Sequence, residues 1–156
     1  MSFDGVGDYI QADIGTTSGD ITYTFWFNSP NTGATKRIIT RDWSGGGSFT
    51  THHAGDALYG VFRDSGGSQG TILNVGSLSD SNWYFAAFLY NGTDVKSYLN
   101  GVPGQEAVQA SILTDSEDLY IGALAFDFLG TINGARVYNG ALSATEIELL
   151  YNRGRN

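Results

Sequence analysis

Two adjacent histidines, His52 and His53, are the residues whose types most readily suggest chemistry, because imidazole nitrogens bind zinc and other transition metals. Neighbouring side chains of a strand point to opposite faces, however, so the two rings cannot reach one ion. The pattern favours one packed and one solvated histidine. We therefore predict no metal site at this pair.

Paired carboxylates would indicate hydrolysis, since retaining glycosidases hold two carboxyl groups about 5 Å apart. The densest acidic stretch, Ser116-Glu117-Asp118, precedes a predicted strand, where a solvated turn is expected. Among the glutamates, Glu146 and Glu148 fall in a predicted helix. The order of Ser, His and Asp residues supports no catalytic triad, and no phosphate-binding glycine motif follows a strand. We predict that the protein is not an enzyme.

The remaining polar and aromatic candidates suit binding. Trp43 and Tyr59 could stack on the apolar face of a sugar, while Arg63 and Asp42 donate and accept hydrogen bonds. The alternative is that Trp43 tucks under its loop and Arg63 is solvated, because aromatic residues of all-β domains usually belong to the core. The predicted ligand-binding residues are Arg41, Asp42, Trp43, His53, Tyr59 and Arg63.

Short strands must position these residues. Segments 21–28 and 36–41 read as strands, and 48–53 and 58–63 are predicted to form a hairpin around Ala54-Gly55-Asp56. Within this hairpin Tyr59, Val61 and Arg63 share one face. About a dozen strands are predicted in all.

One strand is expected at the centre of the fold. Segment 83–90 is apolar on both faces, which is typical of a strand buried between two layers. It is followed by Asn91-Gly92 and then by Asn100-Gly101, and each pair predicts a tight type I′ turn. The stretch between the two turns alternates apolar and polar side chains, as an exposed neighbouring strand would.

A single helix is predicted at the C-terminal end. Ser143 and Glu146 have the spacing of a capping box, and Leu142 and Ile147 that of a hydrophobic staple. Gly154 can end the helix. We expect this helix to pack over an open end of a β-sandwich.

Composition narrows the class of partner. The chain has 156 residues, which suits one domain, and a net charge of −8, which disfavours nucleic acid. It contains no cysteine, so neither a disulfide nor a thiolate metal site is needed. No segment is apolar for long enough to span a bilayer, and the first residues do not resemble a secretion signal.

An ordered set of motifs resembles one known family. The set comprises Phe3-Asp4-Gly5, the aromatic strand 21–27, Trp83 with the 90–101 stretch, Leu119-Tyr120-Ile121-Gly122, the 130–143 stretch, and Glu146-Ile147 with Leu150-Tyr151. In order and spacing these segments are similar to the laminin-G-like jelly roll of the concanavalin A-like lectin/glucanase superfamily. The resemblance covers nearly the whole chain. It implies an all-β fold, a two-sheet antiparallel jelly-roll sandwich with one short C-terminal helix, forming a single domain over 1–156.

Two features of the family are altered or missing. Members with a structural Ca²⁺ often carry two aspartates where this sequence has Asn133 and Gly134, and of the acidic set near the termini Asp4 remains. We therefore predict that no cofactor is required, and the expectation of a Ca²⁺ ion is weakened without being removed. Glycosidases of the superfamily carry Glu-x-Asp-x-x-Glu on one strand, and this sequence lacks that motif.

The resemblance leaves several functions open, because the superfamily includes lectins, glycosidases, adhesion domains and virion proteins. The first hypothesis is a non-catalytic decoration or adhesion protein on a phage capsid or fibre, made in the host cytoplasm without a signal peptide. Its partners would be a capsid or other virion protein, or a cell-surface glycan, and it could form a homo-oligomer. The alternative is an extracellular carbohydrate-binding module of a secreted enzyme or adhesin. A hydrolase is the weakest hypothesis, and neither nucleic acid nor membrane insertion is expected.

Overall fold

The computed structural model describes residues 1–30, 33–42, 46–122 and 126–155, and these residues form two antiparallel sheets of six strands each. Strands are numbered in chain order. The first sheet contains, in spatial order, β1 (Ser2–Asp4), β12 (Leu129–Tyr138), β3 (Ile21–Asn28), β8 (Tyr84–Tyr90), β9 (Asp94–Leu99) and β10 (Val102–Val108). The second contains β2 (Ile10–Ala12), β11 (Leu119–Ile121), β4 (Lys36–Arg41), β5 (Phe49–Ala54), β6 (Ala57–Arg63) and β7 (Gln69–Ser77). The predicted jelly-roll sandwich is confirmed.

Aromatic side chains fill the space between the sheets. The Tyr23 ring stacks on Phe49, with ring centroids 4.4 Å apart, and on Phe88 at 5.4 Å, so it joins the two layers. Thr51 of the opposite sheet donates a hydrogen bond to the Tyr23 hydroxyl at 3.0 Å, which gives this buried polar group a partner. Burial raises the pKa of Tyr23 well above its usual value, so the hydroxyl stays protonated.

Strand β8 is buried on both faces, as its sequence predicts. Phe88 and its alternate neighbours face the main core, whereas Phe85, Ala87 and Leu89 face the outer side of the first sheet. That outer side is covered by the helix α1 (Ala144–Gly154), whose Ile147 is fully buried against it.

The position of the helix differs from the prediction. The expected capping box is present, because the Ser143 hydroxyl accepts from the Glu146 backbone N–H and the Glu146 carboxylate accepts from the Ser143 N–H. Instead of closing an open end of the sandwich, however, α1 lies on the outer face of the first sheet. The reason is that the second apolar face of β8 must itself be removed from water. No described helix is long and apolar enough to cross a membrane.

The two Asn-Gly turns also differ from each other. Asn100 and Gly101 both have positive φ, 52° and 79°, as a type I′ turn between β9 and β10 requires. In the first turn Gly92 has positive φ and Asn91 does not. The Asn91 side chain instead accepts hydrogen bonds from the N–H groups of Thr93 and Asp94, so this turn is longer than the predicted one.

Close approach of the two sheets makes one glycine necessary, Gly60 of β6. A Cβ atom there would overlap the ring of Phe88. We expect Gly60→Ala to lower the free energy of unfolding by about 1–3 kcal/mol, because the packed ring has no space to move into. Urea denaturation measures the change. In Gly66→Ala, at an exposed turn, the new Cβ meets only the Asp64 Oδ1 atom, at 3.2 Å, so equal losses in the two variants would contradict the packing argument.

Candidate functional site

The two outer faces of the sandwich differ in how they are covered. On the first sheet, α1 buries the outer side of β8. On the second sheet, neither the helix nor another described strand packs against the outer side. We call this second surface the open face. The alternation of side chains along β4, β5 and β6 places five residues on it: Arg37, Thr50, His52, Tyr59 and Val61.

A cationic and aromatic row crosses the open face. Arg37 of β4 pairs with His52 of β5, and His52 pairs with Tyr59 of β6. The imidazole and phenol rings are stacked, with centroids 5.2 Å apart and planes inclined by 22°. The Arg37 guanidinium lies 5.2 Å from the ring centroid of Phe126, which is 56% exposed. The row therefore combines flat apolar surfaces with hydrogen-bond donors.

A small groove of about 140 Å³ lies beside this row. Its floor is formed by the buried residues Thr50 and Val61, and its walls include Arg37, His52 and Phe126. The Thr50 hydroxyl is buried and has no hydrogen-bond partner within the described part of the chain. An unpaired buried hydroxyl is uncommon, so this atom marks the groove as a place where a ligand or solvent group would be stabilised.

Arg41 lies in the interior, not on this surface. Its side chain is fully buried, and its Nη2 atom lies 2.7 Å from Oδ1 of Asp115. The guanidinium also donates to the Gly15 carbonyl oxygen at 3.0 Å. Because its donors are directed into the protein, Arg41 is not placed to contact a ligand on the open face, contrary to the sequence-based interpretation.

His53 also faces inward. It is 4% exposed, its cross-strand partner is Leu58 of the core, and its ring centroid lies 6.3 Å from that of Phe27. The hairpin turns at Gly55 and Asp56, with Ala54 paired to Ala57, whereas a three-residue turn over 54–56 would put His53 on the face of Tyr59. His52, and not His53, therefore joins Tyr59.

The other predicted residues lie nearer the open face. Arg63 continues the face of Tyr59 and Val61, and its Nη1 atom donates to the Gly67 carbonyl oxygen at 3.2 Å. Asp42 follows β4. Burial lowers the pKa of Arg37, and the negative charge of Asp42 partly offsets this lowering. Trp43 lies outside the described residues.

The surface also contains Arg37, Thr50, His52 and Phe126, which were not among the binding residues predicted from the sequence. For Arg37 the only signal was the register of β4 with β5, which aligns it with His52. That register contains an irregularity between Arg37 and Ile39, so simple alternation does not reveal it. Phe126 lies in a loop and has a positive φ of 71°, a conformation that the sequence does not predict.

Comparison with known proteins identifies the family to which this fold belongs. Residues 4–148 match the family model Laminin_G_3, described as concanavalin A-like lectin/glucanases superfamily. The chain belongs to this family. Comparison with curated protein sequences gives no match.

Solved structures share the family fold at low sequence identity. The botulinum neurotoxin serotype G binding domain superimposes with a TM-score of 0.81 at 13% identity, covering 98% of this chain and 42% of that one. The serotype D ligand-binding domain in complex with N-acetylneuraminic acid gives 0.79 at 16%, covering 97% and 41%. A heptameric SAP-like pentraxin from Limulus polyphemus gives 0.74 at 15%, covering 96% and 80%. This laminin-G-like chain thus spans less than half of the neurotoxin domains.

Acidic side chains in this family member are largely occupied by structural contacts. Asp115 binds Arg41 and accepts from the Ser48 N–H at 2.8 Å, and Glu106 pairs with Lys96 at 2.7 Å. Among the described residues, no group of three or more His, Asp or Glu side chains could hold a metal ion. The expectations about Ca²⁺ and other cofactors stay predictions.

The buried Arg41–Asp115 pair generates a stability prediction. Asp115→Asn removes the negative charge and leaves a fully buried guanidinium uncompensated, so we expect a loss of about 3–5 kcal/mol in the free energy of unfolding. Urea denaturation measures it. The matched control is Glu106→Gln, which breaks the exposed pair with Lys96 and should cost less than about 1 kcal/mol. A similar small loss in both variants would show that Arg41 does not depend on its partner.

Both histidines generate a pH prediction. Burial lowers the pKa of His52, with the positive charge of Arg37 adding to the effect, and burial also lowers the pKa of His53. The unfolded chain therefore protonates these two imidazoles more readily than the folded chain does. The stability that the neutral histidines contribute is complete above about pH 6.5, and it is lost as the pH falls through their pKa values in the folded chain. We expect unfolding free energy to fall between pH 7 and pH 5 more steeply in the natural chain than in a His52→Gln, His53→Gln double variant. Identical slopes in urea titrations would refute this.

Proposed function

We propose that this chain is a non-catalytic, lectin-like domain that binds carbohydrate on its open face. The observation that carries the proposal is the buried, unpartnered Thr50 hydroxyl at the floor of a groove walled by Arg37, His52 and Phe126. The Thr50 Oγ1 atom has almost no accessible surface in this structure, so a sugar hydroxyl would reach it only after the side chains of the groove shift, and it would then supply the hydrogen bond that Thr50 lacks.

The surroundings of the groove supply the other half of sugar recognition. A pyranose has an apolar face, which packs on aromatic rings, and a rim of hydroxyl groups, which needs both donors and acceptors. The rings of Tyr59 and Phe126 provide the aromatic surface for the apolar face of the sugar. Arg37 donates, and His52 is neutral at pH 7, because its pKa is lowered, so its ring can both donate and accept.

The comparisons support a binding role in a coarser way. The similar structures are described as receptor-binding or ligand-binding domains of botulinum neurotoxins and as a pentraxin, one of them in complex with N-acetylneuraminic acid and one heptameric. They are consistent with a domain that is not an enzyme and that can assemble with itself. They supply no support for a capsid partner or a virion location, which stay predictions from the sequence.

The experiment uses Thr50→Val, which removes the hydroxyl while keeping nearly the same shape. Because the hydroxyl is unpaired without ligand, we expect the variant to be more stable by about 1 kcal/mol in urea denaturation. The same substitution should weaken binding of the best glycan from an array by about three- to tenfold in calorimetry, because one hydrogen bond is lost. Tyr59→Ala should weaken binding at least as much, through the loss of ring contact.

The matched control is Thr24→Val. The Thr24 hydroxyl is also buried and unpartnered, but Thr24 pairs with Ala87 on the helix-covered side of the first sheet. This variant should gain stability and keep its glycan affinity. The proposal fails if no glycan binds, or if Thr50→Val and Thr24→Val bind the glycan equally well.

A further inference from the structure

A second cavity, of about 400 Å³, lies on the opposite side of the molecule, at the C-terminal end of α1. Its lining includes Trp26, Trp83, Tyr151, Asn100, Asn133 and Arg155. Volumes of about 300–1,000 Å³ are usual for small-molecule sites. None of these residues belongs to the open face.

Aromatic rings dominate this cavity, which we call the helix-end pocket. Trp26 of β3 and Tyr151 of α1 are stacked, with centroids 5.6 Å apart and planes inclined by 20°. Gly154 of α1 also lies close against Trp26, because a Cβ atom on Gly154 would overlap the indole. Trp83, just before β8, is 48% exposed. A large indole left half in water at the edge of a cavity is available for stacking against a ligand.

Polar groups in the pocket are held in place by the backbone. Asn100 exchanges two hydrogen bonds with Phe85, donating from its N–H at 2.8 Å and accepting through Oδ1 at 2.9 Å. Its Oδ1 is thus occupied, and its side-chain NH₂ has no protein partner among the described residues. Gly101 of the same turn packs against Tyr151, so the turn and the helix fix each other. The amide donor is therefore positioned before any ligand arrives.

The electrostatics of the pocket favour a neutral ligand. The Arg155 guanidinium lies 5.4 Å from the Tyr151 ring centroid and carries a positive charge. The C-terminus of α1 contributes about half a negative charge at the same place, which partly offsets it. Amide and guanidinium donors beside aromatic walls match a molecule that has both an apolar face and hydroxyl acceptors.

We propose that the helix-end pocket is a second carbohydrate site, which takes a neutral hexopyranose unit stacked on Trp83 and hydrogen-bonded to Asn100. It does not depend on the groove of the open face. A domain with both sites would hold sugars on opposite sides of the sandwich.

The test is titration of the ¹⁵N-labelled chain with maltohexaose, cellohexaose and mannohexaose, followed by NMR. We expect at least one of these neutral sugars to shift the Trp83 indole N–H and the Asn100 side-chain NH₂ signals. Trp83→Ala should weaken that sugar about tenfold, Trp83→Phe should restore part of the affinity, and raising the salt concentration should leave it unchanged. Because Trp83 is half exposed, the variants are expected to fold, which their NMR spectra will show.

The variant Tyr59→Ala distinguishes binding in the helix-end pocket from binding on the open face. In this variant the sugar should still shift the Trp83 and Asn100 signals, whether or not the open face binds anything. The inference is overturned if none of the three sugars shifts these signals at millimolar concentration, if Tyr59→Ala abolishes the shifts, or if Trp83→Ala leaves the affinity unchanged.

Discussion

The arrangement of the molecule depends on one constraint, which is that strand β8 is apolar on both faces. One face, with Phe88, closes the core between the sheets, and the other, with Phe85 and Leu89, would be left in water by a two-layer sandwich. Helix α1 removes it from water and is therefore committed to the first sheet. As a consequence, the second sheet keeps its open face, and the end of the helix, next to Trp83, creates a pocket.

The sequence was sufficient wherever local patterns decide the structure. The two-faced run of β8, the alternation of β3, and the capping box at Ser143 each specify a local conformation, and each is present. The three-residue strand β1 was missed, because a segment of that length has too few positions to show alternation. The location of α1 was also missed, since an amphipathic helix does not indicate which of several apolar surfaces it will cover.

The candidate site was harder to predict, because small errors of register have large effects there. A turn of two residues instead of three exchanges the faces of His52 and His53, and with them the partner of Tyr59. Arg41 posed a different difficulty. It stands at a strand end before a glycine-rich loop, which suggested a surface position, but its partner Asp115 is 74 positions away in the sequence. A single sequence carries no signal of such a pairing.

Unpaired polar atoms help to separate a binding surface from ordinary packing. Within the described structure, Thr24, Thr50 and His53 each leave a buried polar atom without a partner. Thr24 lies on the side covered by the helix, and His53 faces the core beside Phe27, so dense packing accounts for both. Thr50 differs, because it borders a groove that an external group can enter. The same energetic defect is thus a packing cost at Thr24 and His53, whereas at Thr50 the neighbouring cavity makes it the basis of the proposed binding site.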